Sequence, residues 1–600
     1  MRSAVKAVDP GVIGVYVVIS FALVTVPRLI VLVKALRPAV LLRCPNSRHE
    51  PAQLFKSIGV RSPSAPSRRK LEQDIQAASA SDAHESITLS NTASHKPNDH
   101  NIGTLDVPSA PSNGRIVCGA FHFAGCNLGV VSSYDGLPTF SEEGRRWIQQ
   151  HTGVENVFPQ GQAHDLPTAS QQYHSVLGSL VELVPKQSAN SCVRLFLDSP
   201  LRSIFPILDT NLCYSTLHLA YQELPAQSLW NDVESARTWV VAFVALLSCL
   251  EPQKIAPLGI DAKLCAAQAE RSILTVLASP NLDGLQATII LGIYRDFCGQ
   301  LDAAAMLHSL ACRGVLMFGG HIMREQFVPQ NKDDVSALHS RRIRELFWLC
   351  YFFDKHISLR TGQPAVFDDN ECDLTLPAGY TTFGDMLFSP SEQRITLYPS
   401  DLTLTKLKSK VFQTLYSRSG MAKSDVQLIA DVYGLDVELE DWRLRICEPV
   451  RPSISKHTAT AVLGLGESEK TLVTFIHFEY FFLLAAIHRA CGRCQAWQNG
   501  GVNELNALRS SLHISVRASR STLNLFKENL WDIHHESLCL YSIEPSKGKA
   551  DMNLLKLMPR LIRGVLARQT TDAEEARLAS INALFAEMIR LGECALLRTS

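Results

Sequence analysis

Hydrophobic positions recur at the three- and four-residue spacings of helices throughout the chain after residue 116. Alternation of apolar and polar residues, the sign of strands, is almost absent there. Residues 282–320 show two apolar helical runs on either side of the short sequence CGQLD, with paired glycines at the end of the second run. A connection this short favours two antiparallel helices. We therefore predict an all-α, multi-helical body over residues 116–600.

One apolar run in this body is long enough to raise the question of a membrane span. Residues 475–487 are almost entirely hydrophobic. The run contains His477 and Glu479 and is followed by His488 and Arg489. Polar side chains at these places favour a buried core helix over a membrane span.

Two different segments precede the helical body. Residues 45–115 are rich in Ser, Pro, Ala, Asn and His and poor in large apolar side chains. Such a segment cannot bury enough surface to offset its ordering entropy, so we predict a disordered linker. Residues 1–44 contain an uncharged apolar run that ends before Arg28 and Lys34. A membrane helix needs about 20 apolar residues, so we predict a short apolar helical segment, with a membrane span as the alternative.

Charge and cysteine content limit the classes of function. Lys plus Arg equals Asp plus Glu, 58 against 58, so the chain has no global basic field and any DNA contact has to be local. Most of the 16 cysteines stand singly in apolar runs, which favours a reducing compartment. Cys491 and Cys494 form a close pair, but a zinc site needs two further ligands at matching spacing. We predict neither a metal site nor an enzyme, because the sequence lacks nucleophile elbows, phosphate-binding loops and zinc-protease motifs.

The most distinctive stretch is residues 341–377. It begins with an amphipathic pattern in which Arg341 and Glu345 lie four residues apart on a more exposed face. The apolar stripe consists of Ile343, Leu346, Phe347, Cys350, Phe353 and Ile357. Gly362 is a natural helix stop and Pro364 prevents the helix from resuming. The acidic run that follows is therefore predicted to lie in a loop.

That loop places Asp368, Asp369, Glu371 and Asp373 within six residues. A calcium loop that started at Asp369 would need glycine at its sixth position and a carboxylate at its twelfth, and the chain has leucine and tyrosine there. We therefore interpret the carboxylates as scaffolding that pairs with arginines, caps backbone donors or is solvated.

The sequence RRIRELFWLCYFFDKHISLRTGQPAVFDDNECDLTLP resembles the signature of the regulatory, or middle homology, domain of fungal-specific transcription factors, also called the xylanolytic activator regulatory domain. Residues 121–153, 203–209 and 285–321 resemble further segments of the same family in the same order, with the best-matching core at about 200–400. The signature positions, to which the resemblance assigns a structural role, are Arg341, Arg342, Phe347, Trp348, Asp354, Arg360, Gly362, Pro364, Asp368, Asp369 and Asp373.

The resemblance implies a nuclear transcription regulator without catalytic activity, whose helical domain controls a DNA reader through a partner protein or a small-molecule effector. It also implies homo- or heterodimers. Proteins of this family normally begin with a DNA-binding binuclear zinc cluster built from cysteines, but Cys44 alone precedes Cys118 here. We therefore expect no zinc in this chain and DNA contact only through a missing domain or a partner protein. The alternative is a helical scaffold, or a membrane-anchored interaction protein, that does not bind DNA.

Overall fold

The computed structural model describes residues 120–131, 138–158, 183–199, 201–222, 230–323, 335–377, 380, 398–454, 467–531, 556–557, 559 and 572–599. The apolar segment predicted for residues 1–44 and the linker predicted for residues 45–115 lie outside the described residues.

The described chain is mainly helical, which confirms the all-α prediction. The helices in its first half are α1 (Glu142–Thr152), α2 (Lys186–Leu197), α3 (Leu201–Ile204), α4 (Thr210–Ala220), α5 (Trp230–Leu250), α6 (Pro252–Ile255), α7 (Ala262–Ala278), α8 (Leu282–Phe297) and α9 (Leu301–Met317). Those in its second half are α10 (Val335–Thr361), α11 (Leu402–Val411), α12 (Arg418–Met421), α13 (Asp425–Leu444), α14 (Glu467–Arg489), α15 (Ala496–Asn499), α16 (Val502–Trp531) and α17 (Asp572–Thr599).

A small sheet precedes these helices, at a place where the sequence pattern predicted helix. Strands β1 (Ala120–Phe123), β2 (Cys126–Val131) and β3 (Pro138–Phe140) pair antiparallel in the order β1-β2-β3. The β1-β2 turn places Ala124 and Gly125 at φ 47° and 80°. The strands span only 4, 6 and 3 residues, too few for alternation to stand out from helical periodicity.

Two hydrophobic cores organise the described chain. Helices α2, α4, α5, α7 and α8, with the middle of α10, supply most of the first core. The strands, α1, most of α11, α13, α14, α16 and α17 supply the second core. Three helices contribute to both cores: α10 places Phe353 in the first and Leu359 in the second, and α11 and α14 divide in the same way. The two cores therefore meet along α10, α11 and α14.

Two of the described helices, α5 and α14, are long and apolar enough to cross a membrane by length and composition. In each, most of the apolar window is buried inside the protein, 83% for Trp230–Leu250 and 94% for Leu472–Arg493. Helices α5 and α14 are thus central helices of the two cores, and α14 includes the run that the sequence predicted to be a buried core helix.

Candidate functional site

The signature helix α10 is more deeply buried than its pattern predicted. Every side chain from Leu346 to Thr361 is buried, on all faces of the helix. The predicted one-sided stripe is therefore wrong for most of the helix, although Arg341 is exposed as expected. The reason is that α10 packs against α8, α9 and α11 and is also covered by the chain segment that follows it.

Residues 362–377, here called the strap, follow α10 and cover it. The helix ends at Thr361, immediately before the predicted stop at Gly362. Gly362 adopts a left-handed φ of 74°, which is readily accessible only to glycine, and its amide donates to the carbonyl of Ser358 at 2.8 Å. Pro364 follows and is exposed. The chain thus leaves the helix and turns back.

Asp354 binds the returning strap. Its carboxylate accepts hydrogen bonds from the backbone amides of Val366 at 2.8 Å and Phe367 at 3.1 Å. Burial raises the pKa of this carboxyl, while the Lys355 ammonium and the two amides act in the opposite direction. Asp354 therefore caps backbone donors of the strap, as the scaffolding interpretation proposes for the acidic residues after it.

Lys355, the next residue, also contacts the strap. Its buried ammonium donates to the carbonyl of Phe367 at 2.5 Å and lies 3.0 Å from the Asp369 carboxylate and 3.4 Å from Asp354. The Tyr351 hydroxyl donates to Asp369 at 3.1 Å. Asp369 is thus held by the Lys355 ammonium and the Tyr351 hydroxyl. Lys355 contacts both Asp354 on α10 and Phe367 and Asp369 on the strap, so it joins the helix to the strap.

The far end of the strap is fixed by Arg344. The guanidinium of Arg344 donates to the carbonyls of Asp373 at 2.6 Å, Thr375 at 3.0 Å and Gly320 at 3.0 Å. Its charge lies over the Phe347 ring, 4.6 Å from the centroid. Asp373 accepts hydrogen bonds from Thr375, and these bonds lower the pKa of its carboxyl. Asp368 is exposed and accepts from the Asn370 amide.

The aromatic signature residues lie beneath the strap. Phe347 and Trp348 are fully buried and meet edge to face at 5.4 Å between ring centroids. Phe367 of the strap packs against Phe347 at 5.2 Å. Arg342 is also buried; it donates to the side chains of Gln286 at 3.1 Å and Glu345 at 3.0 Å. Of the two arginines at the start of the signature, Arg341 therefore faces solvent and Arg342 lies in the core.

A second group of buried charges lies where the two cores meet, and we call it the charged seam. Its members are Asp296, His356, Arg360, Lys408 and Glu479. Arg360 lies 3.5 Å from Asp296, His356 lies 3.7 Å from Glu479, and the Lys408 ammonium contacts the other oxygen of Glu479. Burial lowers the pKa of Lys408 to about 7. The seam joins α8, α10, α11 and α14.

Sequence reasoning included Arg360 among the signature positions but missed the rest of the seam. Glu479 had attracted attention only as a polar residue within an apolar helix, and Lys408 stands in the sequence KLKSK, which reads as a solvated face. Arg344 and Lys355 were also missed as strap ligands. The available signal was a cation at a position where the helical pattern calls for an apolar residue.

A cavity of about 330 Å³ lies between the strap and the end of α11, and we call it the strap cavity. Its polar lining comes from Lys355, Ser358, Asp368, Asn370, Ser409 and Gln413. On the α11 side it adjoins a π-helical turn, Phe412–Tyr416, whose Phe412 also lines it. Single π-turns occur frequently at functional sites. The cavity therefore offers both hydrogen-bond donors and hydrogen-bond acceptors to a small polar molecule.

Metal-binding groups do not assemble in the part of the chain that the structure describes: no three His, Cys, Asp or Glu residues there are placed to hold an ion. Cys491 and Cys494 are free buried thiols in a 3₁₀ turn at the end of α14.

Residues 341–377, which carry the resemblance to the fungal regulatory domain, form the buried helix α10 and the acidic strap that closes over it. Residues 203–444 match the family model of the fungal specific transcription factor domain. This match confirms the resemblance predicted from the signature.

Several relatives are transcription regulators by name. The chain is 25% identical over 421 residues to an ABC-transporter-regulating transcription factor of Aspergillus fumigatus, covering 66% of this chain and 45% of that protein. It is 24% identical over 437 residues to the protein of the same name in Aspergillus oryzae, covering 69% and 46%. A transcriptional regulatory protein of Schizosaccharomyces pombe is 24% identical over 324 residues, covering 50% and 46%. The chain thus spans about half the length of these relatives, and no solved structure matches it.

Proposed function

We propose that this chain is the regulatory part of a nuclear, fungal-type transcription regulator and has no catalytic activity. The match over residues 203–444 and the names of the relatives support this assignment. The structure of the signature stretch supports it too, because its Asp354, Lys355 and Arg344 side chains hold the strap.

DNA contact, in this proposal, is made by a reader that the described residues do not supply. A chain with 58 cationic and 58 anionic residues has no excess positive charge to bind phosphates non-specifically. The reader is either a zinc-dependent domain outside the described residues or part of a partner protein. Zinc then belongs to that reader rather than to the helical body.

The observation that carries the proposed mechanism is the position of the strap cavity. One wall of the cavity is the strap, and the facing wall is the end of α11 with its π-helical turn; Lys355 and Ser358 of α10 also line it. Its volume of about 330 Å³ lies at the lower end of the range typical of small-molecule sites. A ligand that contacts both walls favours the conformation in which they are this close, so it shifts the equilibrium between conformations of the domain. We propose this cavity as the effector site.

A reporter experiment tests the proposal. The full 600-residue chain, fused to a heterologous DNA-binding domain, is expected to change transcription of a reporter that carries the matching DNA site. Gln413→Trp fills the cavity from its exposed rim and is expected to change the reporter output without loss of protein. Thr275→Trp, on the exposed face of α7, is the matched control and is expected to behave like the parent.

Two results would contradict these proposals separately. A parent fusion that is nuclear and stable but leaves transcription unchanged would contradict the regulator assignment. A regulated parent whose Gln413→Trp and Thr275→Trp variants give the same output would contradict the role of the strap cavity alone.

A further inference from the structure

Helix α13 carries an apolar stripe on its solvent-facing side. Val426, Tyr433, Val437 and Leu444 are 72%, 67%, 43% and 50% exposed. At 3.6 residues per turn these positions fall within about 40° of one another around the helix axis. The opposite face of α13 packs into the second core through Leu428, Val432, Leu435 and Leu439.

This arrangement differs from scattered surface hydrophobics. Single exposed apolar residues are normal, whereas a continuous apolar strip marks an interaction surface. The intervals of seven, four and seven residues are those of a coiled-coil seam, and Ala430, which is also exposed, continues it. The pattern fits a second helix lying along α13.

The stripe is symmetric in sequence about Leu435. Val426 and Leu444 each lie nine residues from Leu435, and Tyr433 and Val437 each lie two residues from it. In a two-fold symmetric contact, the same patch of both copies pairs with itself. When two such helices pack antiparallel about Leu435, Val426 of one copy meets Leu444 of the other, and Tyr433 meets Val437. This spacing is what a self-complementary surface requires.

Gly434 lies next to this centre of symmetry. It is exposed, and nothing lies within 4 Å of a Cβ built on it. Glycine inside a helix lowers folding stability relative to alanine. Here it leaves space for a second helix backbone to approach closely.

The charges beside the stripe select the orientation. Glu438 and Asp441 lie on one side of the stripe, and Asp436 and Glu440 lie on the other. In a parallel pair, one side of the stripe on the first copy would lie beside the other side of the stripe on the second copy. The carboxylates of the two sides would then be close together and repel one another. An antiparallel pair brings each side against its own reversed copy, so that Asp441 faces the region of Ala430. Glu438 then faces Asp431 and Asp436 faces its own copy, so fewer carboxylates oppose one another than in the parallel pair. The helix dipoles also oppose one another favourably in the antiparallel pair.

We infer that α13 is a self-association surface through which two copies of this chain pack antiparallel about Leu435. This inference goes beyond the proposed function and does not depend on the strap cavity. A seam of one helix per copy buries little area, so the association is weak, with a dissociation constant on the order of 10–100 µM.

Sedimentation velocity of the full chain over a concentration series tests the association. The parent is expected to pass from monomer to dimer as concentration rises. Tyr433→Glu places a charge at the centre of the seam and is expected to weaken dimerisation at least roughly tenfold. Leu274→Glu is the matched control: Leu274 is 79% exposed on α7, away from the stripe, and its variant is expected to dimerise like the parent.

Cross-linking tests the orientation. Gln427→Cys and Arg445→Cys lie on the same side of the stripe near opposite ends of α13, so a mixture of the two variants is expected to form mixed disulfides in excess of either variant alone. The parent controls for the 16 native cysteines.

Three outcomes would overturn the inference. One is a parent that stays monomeric at all concentrations. Another is a dimer that Tyr433→Glu leaves intact. The third is a mixture of Gln427→Cys and Arg445→Cys that forms no mixed disulfides in excess of either variant alone.

Discussion

The carboxylate of Asp354 accepts a hydrogen bond of 3.1 Å from the backbone amide of Phe367, thirteen residues further along the chain. This bond and its neighbour to Val366 reverse the direction of the chain after α10. The strap therefore depends on one side chain whose two oxygens are both used.

We expect Asp354→Asn to lower the free energy of unfolding by about 1–3 kcal/mol, because it weakens one acceptor and removes the charge beside Lys355. Urea denaturation of the purified chain measures this change. Asp368→Asn is the matched control, since Asp368 is exposed and the change should stay within about 0.5 kcal/mol. Equal effects of both variants would contradict the role of Asp354.

We expect Phe347→Ala to lower the free energy of unfolding by about 3–5 kcal/mol, since the side chain is fully buried against Trp348, Tyr351 and Phe367. Phe347→Leu should cost less because it leaves a smaller cavity. Guanidinium denaturation compares the two variants. A loss below about 1 kcal/mol in Phe347→Ala would show that the strap does not close over a packed core.

The Lys408–Glu479 contact is predicted to be strongly coupled. Lys408→Met or Glu479→Leu alone leaves a buried charge without its partner and should cost about 3–5 kcal/mol in unfolding free energy. The double variant should cost clearly less than the sum of the two, because neither charge remains. A double-mutant cycle measures the difference. Additive losses would mean that the two side chains do not interact.

Acid should destabilise the protein partly through His308 and His477. Burial lowers the pKa of both histidines to about 4, from 6.5. The unfolded chain therefore binds more protons between these values, so stability falls as the pH drops through this window. At pH 5 each histidine contributes about 2 kcal/mol of that loss.

The measurement is the slope of unfolding free energy between pH 7 and pH 5. His308→Leu, which retains His477, should show a shallower slope than the parent. Asp296 lies close enough to His308 to oppose the shift and is unchanged in both proteins. Parallel curves for parent and variant would contradict the assignment of His308 as a buried neutral residue.

The β1-β2 turn should be sensitive to a single methyl group. The Gly125 amide donates to the Gly492 carbonyl at 2.8 Å, and a Cβ on Gly492 would lie 2.6 Å from the backbone carbonyl oxygen of His122. We expect Gly492→Ala to separate the strands from the end of α14 and to cost about 1–3 kcal/mol. Gly501→Ala is the control, since nothing lies within 4 Å there. Thermal unfolding distinguishes them, and equal melting temperatures would contradict the contact.

Local chemistry accounts for what the sequence predicted well. The end of α10 at Thr361 follows from the conformational freedom of Gly362 and the constraint of Pro364, both of which act within a few residues. The burial of α14 was predictable because its apolar run is long and interrupted by few charges.

The charged seam was not predictable in this way. Lys408 and Glu479 meet across 71 residues (479 − 408), and neither the spacing nor the composition around them identifies the partner. The small sheet was missed for another reason, since Phe121 and Phe123 alternate over too few residues to overcome the helical periodicity that follows. Contacts set by tertiary packing leave no local pattern.

The second core joins residues that are synthesised far apart in time. The backbone amide of Val157 donates to the Glu587 carboxylate, 430 residues later in the chain. At roughly 5–20 residues per second, a ribosome needs about 20–90 s to make that distance. The strands and α1 therefore emerge long before their partners, with Phe121, Phe123 and Phe140 uncovered. During that interval, the apolar residues of the strands and α1 are exposed, and a chaperone can bind them.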